Sequence, residues 1–168
     1  EVIEEQPLRI LVQGKPIATL MRTPGSEVEL ALGFLITEGL VKSRREVAGI
    51  LFCRDGTWAK PGEIHVRLAE ESPLDRPIRG YRDILSSCSL CGDAWMQLFA
   101  EGIPVFQKPA CRLRPQDVLG LKTIMSKTQP LFAQTGATHA AAICEWGSGA
   151  SGRSVVREDL GRHNALDK

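Results

Sequence analysis

Two cysteines three positions apart are the most chemical feature of this chain. In Ser86-Ser87-Cys88-Ser89-Leu90-Cys91-Gly92 they stand just ahead of a stretch of helical pattern that begins at Asp93-Ala94. A thiol beside a helix N-terminus meets unpaired backbone N–H groups and the positive end of the helix dipole, and both favour thiolate. Thiolate is the form that attacks sulfur. Cys88 could therefore hold a sulfane sulfur as a persulfide, with Cys91 resolving it. The same pair could instead exchange disulfides, form half of a zinc site, or pack with no chemistry at all. Zinc fits poorly. A structural site needs four ligands, usually from two such pairs, and no second C-x-x-C exists here. A deaminase zinc needs an upstream His-x-Glu and a Pro-Cys-x-x-Cys. Here His65 is followed by Val66-Arg67, and Ser87 stands where the proline would be. No intrinsic metal is expected.

Two further stretches are rich in groups that bind. Gln134-Thr135-Gly136-Ala137-Thr138-His139 puts two hydroxyls, a glycine and an imidazole between a helix and a strand, and α/β folds place ligand groups at such loops. A glycine-containing helix stop would look the same. Arg157-Glu158-Asp159-Leu160-Gly161-Arg162-His163-Asn164-Ala165-Leu166-Asp167-Lys168 is denser in polar side chains. A solvated helix could have this composition. Yet Gly161 ahead of Arg162-His163-Asn164 resembles a helix start that offers N–H groups to an anion. Arg162 and Lys168 could hold phosphate or carboxylate, and Asp167, four residues after His163, shares its helix face and could orient the imidazole. Gly147-Ser148-Gly149-Ala150-Ser151-Gly152 fits G-x-G-x-x-G. A dinucleotide loop must open a helix, and this one runs into the strand candidate Ser154–Arg157, so a hairpin turn is expected.

The elements that must position these groups follow from pattern. Leu8–Val12 and Ile17–Met21 flank the turn signal Gln13-Gly14-Lys15-Pro16 and read as a hairpin. Ser26 precedes Glu29 by three, the capping-box spacing, at the head of a helix with Val28, Ala31, Leu32 and Leu35 on its apolar face and Gly39 at its end. Ile50–Cys53 is a strand candidate, and Ile64, Val66 and Leu68 alternate with His65 and Arg67 as in a strand buried on one face. Ser72–Gly80, with two prolines and three charges, reads as a linker. The division suggested is a small α+β subdomain over 1–80 and a second unit over 81–168. In the latter, helices are expected over 93–101, from Arg114-Pro115 with Val118, Leu121 and Met125 inward, after Pro130, and from Gly161. Ala140–Cys144 is a continuous apolar run, as in a fully buried strand. Strands alternating with helices imply an α/β core.

Composition sets outer limits. The net charge of +1, from 21 basic and 20 acidic residues, asks for neither nucleic acid nor an anionic membrane. No apolar run reaches the ~20 residues of a membrane span, and the acidic N-terminus lacks the order of a signal peptide, so a cytoplasmic protein is expected. Five cysteines, an odd number, argue against a disulfide framework. Cys53, Cys111 and Cys144 read as buried small hydrophobes.

Four stretches in this order resemble the formate dehydrogenase accessory (FdhD) family: LMRTPGSEVELALGFLITEGL at 20–40, SSCSLCG at 86–92, TGATHAA at 135–141 and REDLGRHNALDK at 157–168. The resemblance covers essentially the whole chain, and the family's proteins continue through a C-terminal region that is absent here. It implies a three-layer α-β-α core like that of cytidine deaminase without the zinc chemistry, and a homodimer. It implies a sulfurtransferase that takes sulfur from a cysteine desulfurase and delivers it to the bis(molybdopterin guanine dinucleotide) form of the molybdenum cofactor, which formate dehydrogenase needs. In the family the first motif cysteine carries the persulfide, which maps to Cys88, with Cys91 in the second position. Ser89 departs from the glycine commoner there. The expected cofactor-binding residues are Thr135, Gly136, Thr138, His139, Gly161, Arg162, His163 and Asn164. A cofactor-binding chaperone without enzymatic activity, or a thiol–disulfide oxidoreductase, are the alternative readings.

Overall fold

A computed structural model of the chain describes residues 2–69, 82–84, 114–145 and 153–168, with backbone course alone for 82–84. Cys88, Cys91, Cys111, the linker expected over 72–80, the helix expected over 93–101 and the glycine-rich 147–152 stretch lie outside the described residues.

The hairpin forms as its pattern requires. Strands β1 (Gln6–Val12) and β2 (Lys15–Arg22) pair antiparallel with Leu8 opposite Leu20 and Ile10 opposite Ala18. The turn falls on Gln13-Gly14, both at positive φ (50° and 76°), the geometry that matches the twist of a tight hairpin. Strand β3 (Val47–Cys53) runs antiparallel to β4 (Glu63–Leu68), and β4 lies parallel to β1. Strand β5 (Arg82–Ile84) adds in parallel to β2, giving the order β3-β4-β1-β2-β5. As the alternation predicts, Ile64, Val66 and Leu68 are buried and Arg67 is exposed. His65 is half-buried, within 3.4 Å of Glu63 and edge-on to Trp58.

Helix α1 (Glu27–Thr37) covers one face of this sheet and closes the core of Leu8, Ile10, Val12, Leu20, Ile64 and Val66. Its inward residues are Leu30, Ala31, Phe34 and Leu35; Val28, expected among them, is 42% exposed. The helix is rotated so that the bulkier Leu30 and Phe34 enter the core. The expected capping box does not form. Ser26 is left-handed (φ 56°, ψ 37°) rather than extended and makes no side-chain cap. Glu27, the first helical residue, instead turns back to accept the Gly25 N–H at 2.8 Å and pairs with the buried Arg22 at 3.1 Å. Gly39, at φ 65°, ends the helix as expected, its N–H donated to the Ile36 carbonyl.

The remaining elements are α2 (Pro115–Lys127), α3 (Pro130–Thr135), β6 (His139–Cys144), β7 (Ser154–Asp159) and α4 (Arg162–Asp167). Pro115 and Pro130 open their helices from first-turn positions, where a missing N–H is harmless. Gly136, left-handed at φ 66°, closes α3. Strands β6 and β7 pair antiparallel with Cys144 opposite Ser154, and the described element after the G-x-G-x-x-G stretch is a strand. Strand β6 is not fully buried: Ile143 is 67% exposed. Among the described residues β6 pairs with one strand, β7. Likewise Val118, placed inward from its spacing, is 52% exposed, while Leu121 and Met125 are half-buried. The architecture is mixed α/β.

Candidate functional site

The site is built on the last two residues of β7, which face opposite ways as neighbours in a strand must. Glu158 serves one side. Its carboxylate accepts the N–H groups of Leu131 (2.9 Å) and Phe132 (2.7 Å) at the start of α3 and the hydroxyl of Thr138 (3.0 Å). A carboxylate at a helix start satisfies donors that have no partner within the helix. Glu158 thus ties the start of α3 and Thr138, in the loop that follows the helix, to β7, while Thr135 turns its hydroxyl onto Leu131 O (2.8 Å) and receives the Ala137 N–H (3.2 Å).

Asp159 serves the other side and is fully buried. One carboxylate oxygen accepts from Thr23 N (3.1 Å) and Lys168 Nζ (2.7 Å); the other accepts from Gly161 N (2.8 Å) and Asn164 Nδ2 (3.1 Å). Four donors over two oxygens satisfy the group, the condition under which a buried carboxylate is tolerated. The node extends further. Leu160 N donates to Thr23 Oγ1 (3.0 Å), Asn164 Nδ2 to Met21 O (2.7 Å), and Lys168 Nζ to Thr23 O (2.8 Å). Gly161 leaves room for this: a Cβ there would stand 3.0 Å from Asn164 Nδ2. The stretch after β2, the loop before β6 and the C-terminal stretch, three of the four motif regions, therefore meet around β7.

Helix α4 is fixed by close contact with α1. A Cβ on Gly33 would lie 2.0 Å from the Asp167 carbonyl oxygen. Asp167 accepts the Thr37 hydroxyl at 3.0 Å rather than orienting His163. Burial pushes its carboxyl up to about 6, with Glu38 nearby adding to the rise and the Thr37 hydrogen bond opposing it.

The sequence-derived residues divide by exposure. Gly136, His139, Arg162 and His163 are exposed and can meet a ligand. Thr138, Gly161 and Asn164 are buried, their polar atoms engaged as above. The anion that meets the Gly161 N–H is the chain's own Asp159 carboxylate. Lys168, offered by the sequence as an anion ligand, gives its ammonium to Asp159 with its side chain 3% exposed. Cys53 is fully buried, its thiol 3.3 Å from Ala59 O, and Cys144 is half-buried. Among the described residues no three His, Cys, Asp or Glu side chains converge as metal ligands, and no helix is long and apolar enough to cross a membrane.

The order of these motifs has a match. A model of the FdhD/NarQ family covers residues 3–168. The chain belongs to the FdhD/NarQ family. It is 36% identical to the sulfur carrier protein FdhD of Streptomyces coelicolor, over 99% of this chain and 60% of the relative. It is likewise 36% identical to that of Mycobacterium tuberculosis, over 98% and 61%. The crystal structure of a formate dehydrogenase accessory protein from Desulfotalea psychrophila is similar in fold, with a TM-score of 0.61 at 23% identity, over 99% of this chain and 56% of that one. The chain spans about three fifths of the length of these FdhD relatives.

In this chain the residues that sequence reasoning passed over are Thr23, Glu158 and Asp159. The two adjacent carboxylates at a strand end carried a signal, since a pair there must serve two faces. Thr23 carried none, being 136 residues from its partner.

Proposed function

We propose that this chain is the greater part of a sulfur carrier in which Cys88 holds a persulfide. Family membership over 3–168, a span that includes both motif cysteines, carries this reading. Cys88 thiolate attacks the outer sulfur of a desulfurase persulfide. The S–S bond to the desulfurase cysteine breaks, that cysteine leaves as thiolate, and Cys88–S–SH forms. The sulfur acceptor is the bis(molybdopterin guanine dinucleotide) molybdenum cofactor, a substrate of the carrier rather than a resident group, and the benefiting enzyme is formate dehydrogenase. Its guanine nucleotide ends bring phosphates, for which Arg162, His163, His139 and the Gly136 backbone are exposed on one framework held by Glu158 and Asp159. Thr135, Thr138, Gly161 and Asn164 shape that surface. Cys91 assists release. A cytidine deaminase-like three-layer core, a unit boundary near residue 80, a homodimer and a cytoplasmic setting belong to the same proposal.

The test is mass spectrometry of the chain after incubation with a cysteine desulfurase and cysteine. One added sulfur on the Cys88 peptide, absent in Cys88→Ser, is expected. Full labelling of Cys88→Ser, or no sulfur gained by the parent chain, would overturn the reading and leave a non-catalytic cofactor-binding role.

A further inference from the structure

A cavity of about 560 Å³ opens at one end of the five-stranded sheet, between the start of β1, the end of β2, the end of β3 and the turn into β4. That volume suits a small molecule. It lies outside the site built on β7. Among the described residues its charged lining groups are Arg22, Arg54, Glu4 and Glu27, and Phe52 supplies an apolar wall.

Arg22 sets the chemistry. It is 2% exposed, with Nη2 paired to Glu27 at 3.1 Å. Its Nε and Nη1 are also buried and, among the described residues, have no hydrogen-bond partner. Buried guanidinium donors are rarely left unmet, because each gave up water to be there. Glu27 meets only Nη2, through the same oxygen that takes the Gly25 N–H. Glu4 is exposed and receives the Gln6 side-chain amide. Arg54, exposed, adds a second cation to the lining. Burial draws the Arg22 guanidinium below its usual proton affinity against the opposing pull of Glu27 and Asp159, so the group is under-compensated where it sits.

We propose that this cavity is an oxyanion site, in which a carboxylate or phosphate of a small ligand accepts from the unmet donors of Arg22, with Arg54 as second cation and Phe52 against the ligand's apolar part. Arginine suits this task because its charge is delocalised and its donors are fixed in a plane. Thr23, next in sequence, holds Asp159, so an occupant of the cavity sits one residue from the node that frames the β7 site.

Phosphate and acetate are each titrated into the chain, at fixed ionic strength with chloride as the balancing anion, and followed by amide chemical shifts. A saturating response around Arg22 and Gly25 to one or both anions is expected, and the anion that saturates at lower concentration identifies the class. Arg54→Glu alters an exposed residue and should raise the midpoint roughly five- to tenfold through reversal of a nearby charge. Arg22→Lys keeps the charge but loses the planar donors and should also raise it; where that variant does not fold, the Arg54→Glu comparison decides. Neither anion acting beyond chloride, or Arg54→Glu titrating like the parent, would overturn the assignment.

Discussion

Asp159→Ala tests the central node directly. The substitution removes a fully buried carboxylate and leaves the Lys168 ammonium, with its side chain 3% exposed, without its counter-charge. It also strands the N–H groups of Thr23 and Gly161. Breaking a buried ion pair by removing one partner costs about 3–5 kcal/mol, mostly because the other charge stays behind. Lysine's long flexible stem lets its ammonium reach toward water, so about 3 kcal/mol is expected, a large share of the ~5–15 kcal/mol that holds a typical domain. Urea unfolding followed by circular dichroism at pH 7 measures it, as a lower midpoint at unchanged slope. Lys168→Met in the Asp159→Ala background should restore part of the loss, and the cycle of four proteins gives the pair's coupling. High salt should change the result little, since the pair is shielded from solvent ions. A loss below about 1 kcal/mol, the value of a surface pair, would refute the reasoning and mean that the node opens to water.

Other outcomes follow from the same structure. Gly33→Ala would drive a Cβ to 2.0 Å from the Asp167 carbonyl, which is backbone and cannot rotate away; a loss of about 1–3 kcal/mol is expected in the same unfolding assay. Asp167 has a folded pKa of about 6 against an ordinary 3.8. The folded state therefore keeps a proton that the unfolded chain has lost between those values, so this group's stability is fully present below about pH 4 and gone above about pH 6. Asp167→Asn should leave stability near pH 4 unchanged and raise it at pH 7 by roughly 1–2 kcal/mol. Complete conversion of the shift would give about 3, reduced because the half-buried group still meets solvent. Glu158→Ala removes the acceptor for Leu131, Phe132 and Thr138. It should speed amide hydrogen exchange at Leu131 and Phe132 by about tenfold or more, as the loss of ~1–3 kcal/mol at each stranded donor requires; unchanged exchange would show that the α3 start does not depend on it.

Local signals in the sequence were enough for much of the fold. The β1–β2 hairpin, the alternation in β4, the prolines that open α2 and α3, and the glycines that end α1 and α3 all rest on short-range chemistry and stand where the pattern put them. Errors arose where a neighbour decides. The Ser26–Glu29 spacing suited a cap, but the left-handed turn at Ser26 leaves the helix without a side-chain cap. The apolar run of β6 suggested a central strand, yet burial depends on what covers each face, and Ile143 is exposed. In the site, the sequence recognised polar density but could not tell ligand groups from scaffold. Arg162 and His163 are exposed while Asn164, beside them, is buried. Helix geometry alone does not say which face meets Met21 and Asp159.

The bond from Thr23 to Asp159 joins residues 136 apart. Closing so long a loop carries an entropy penalty of about 4 kcal/mol, so the contact must come late in folding, after the hairpin and α1 have formed from near neighbours. Until residues 159–168 have been made, the Thr23 amide and the Met21 carbonyl lack the partners they have in the fold, and in that interval the end of the hairpin is open to a chaperone or a stray strand.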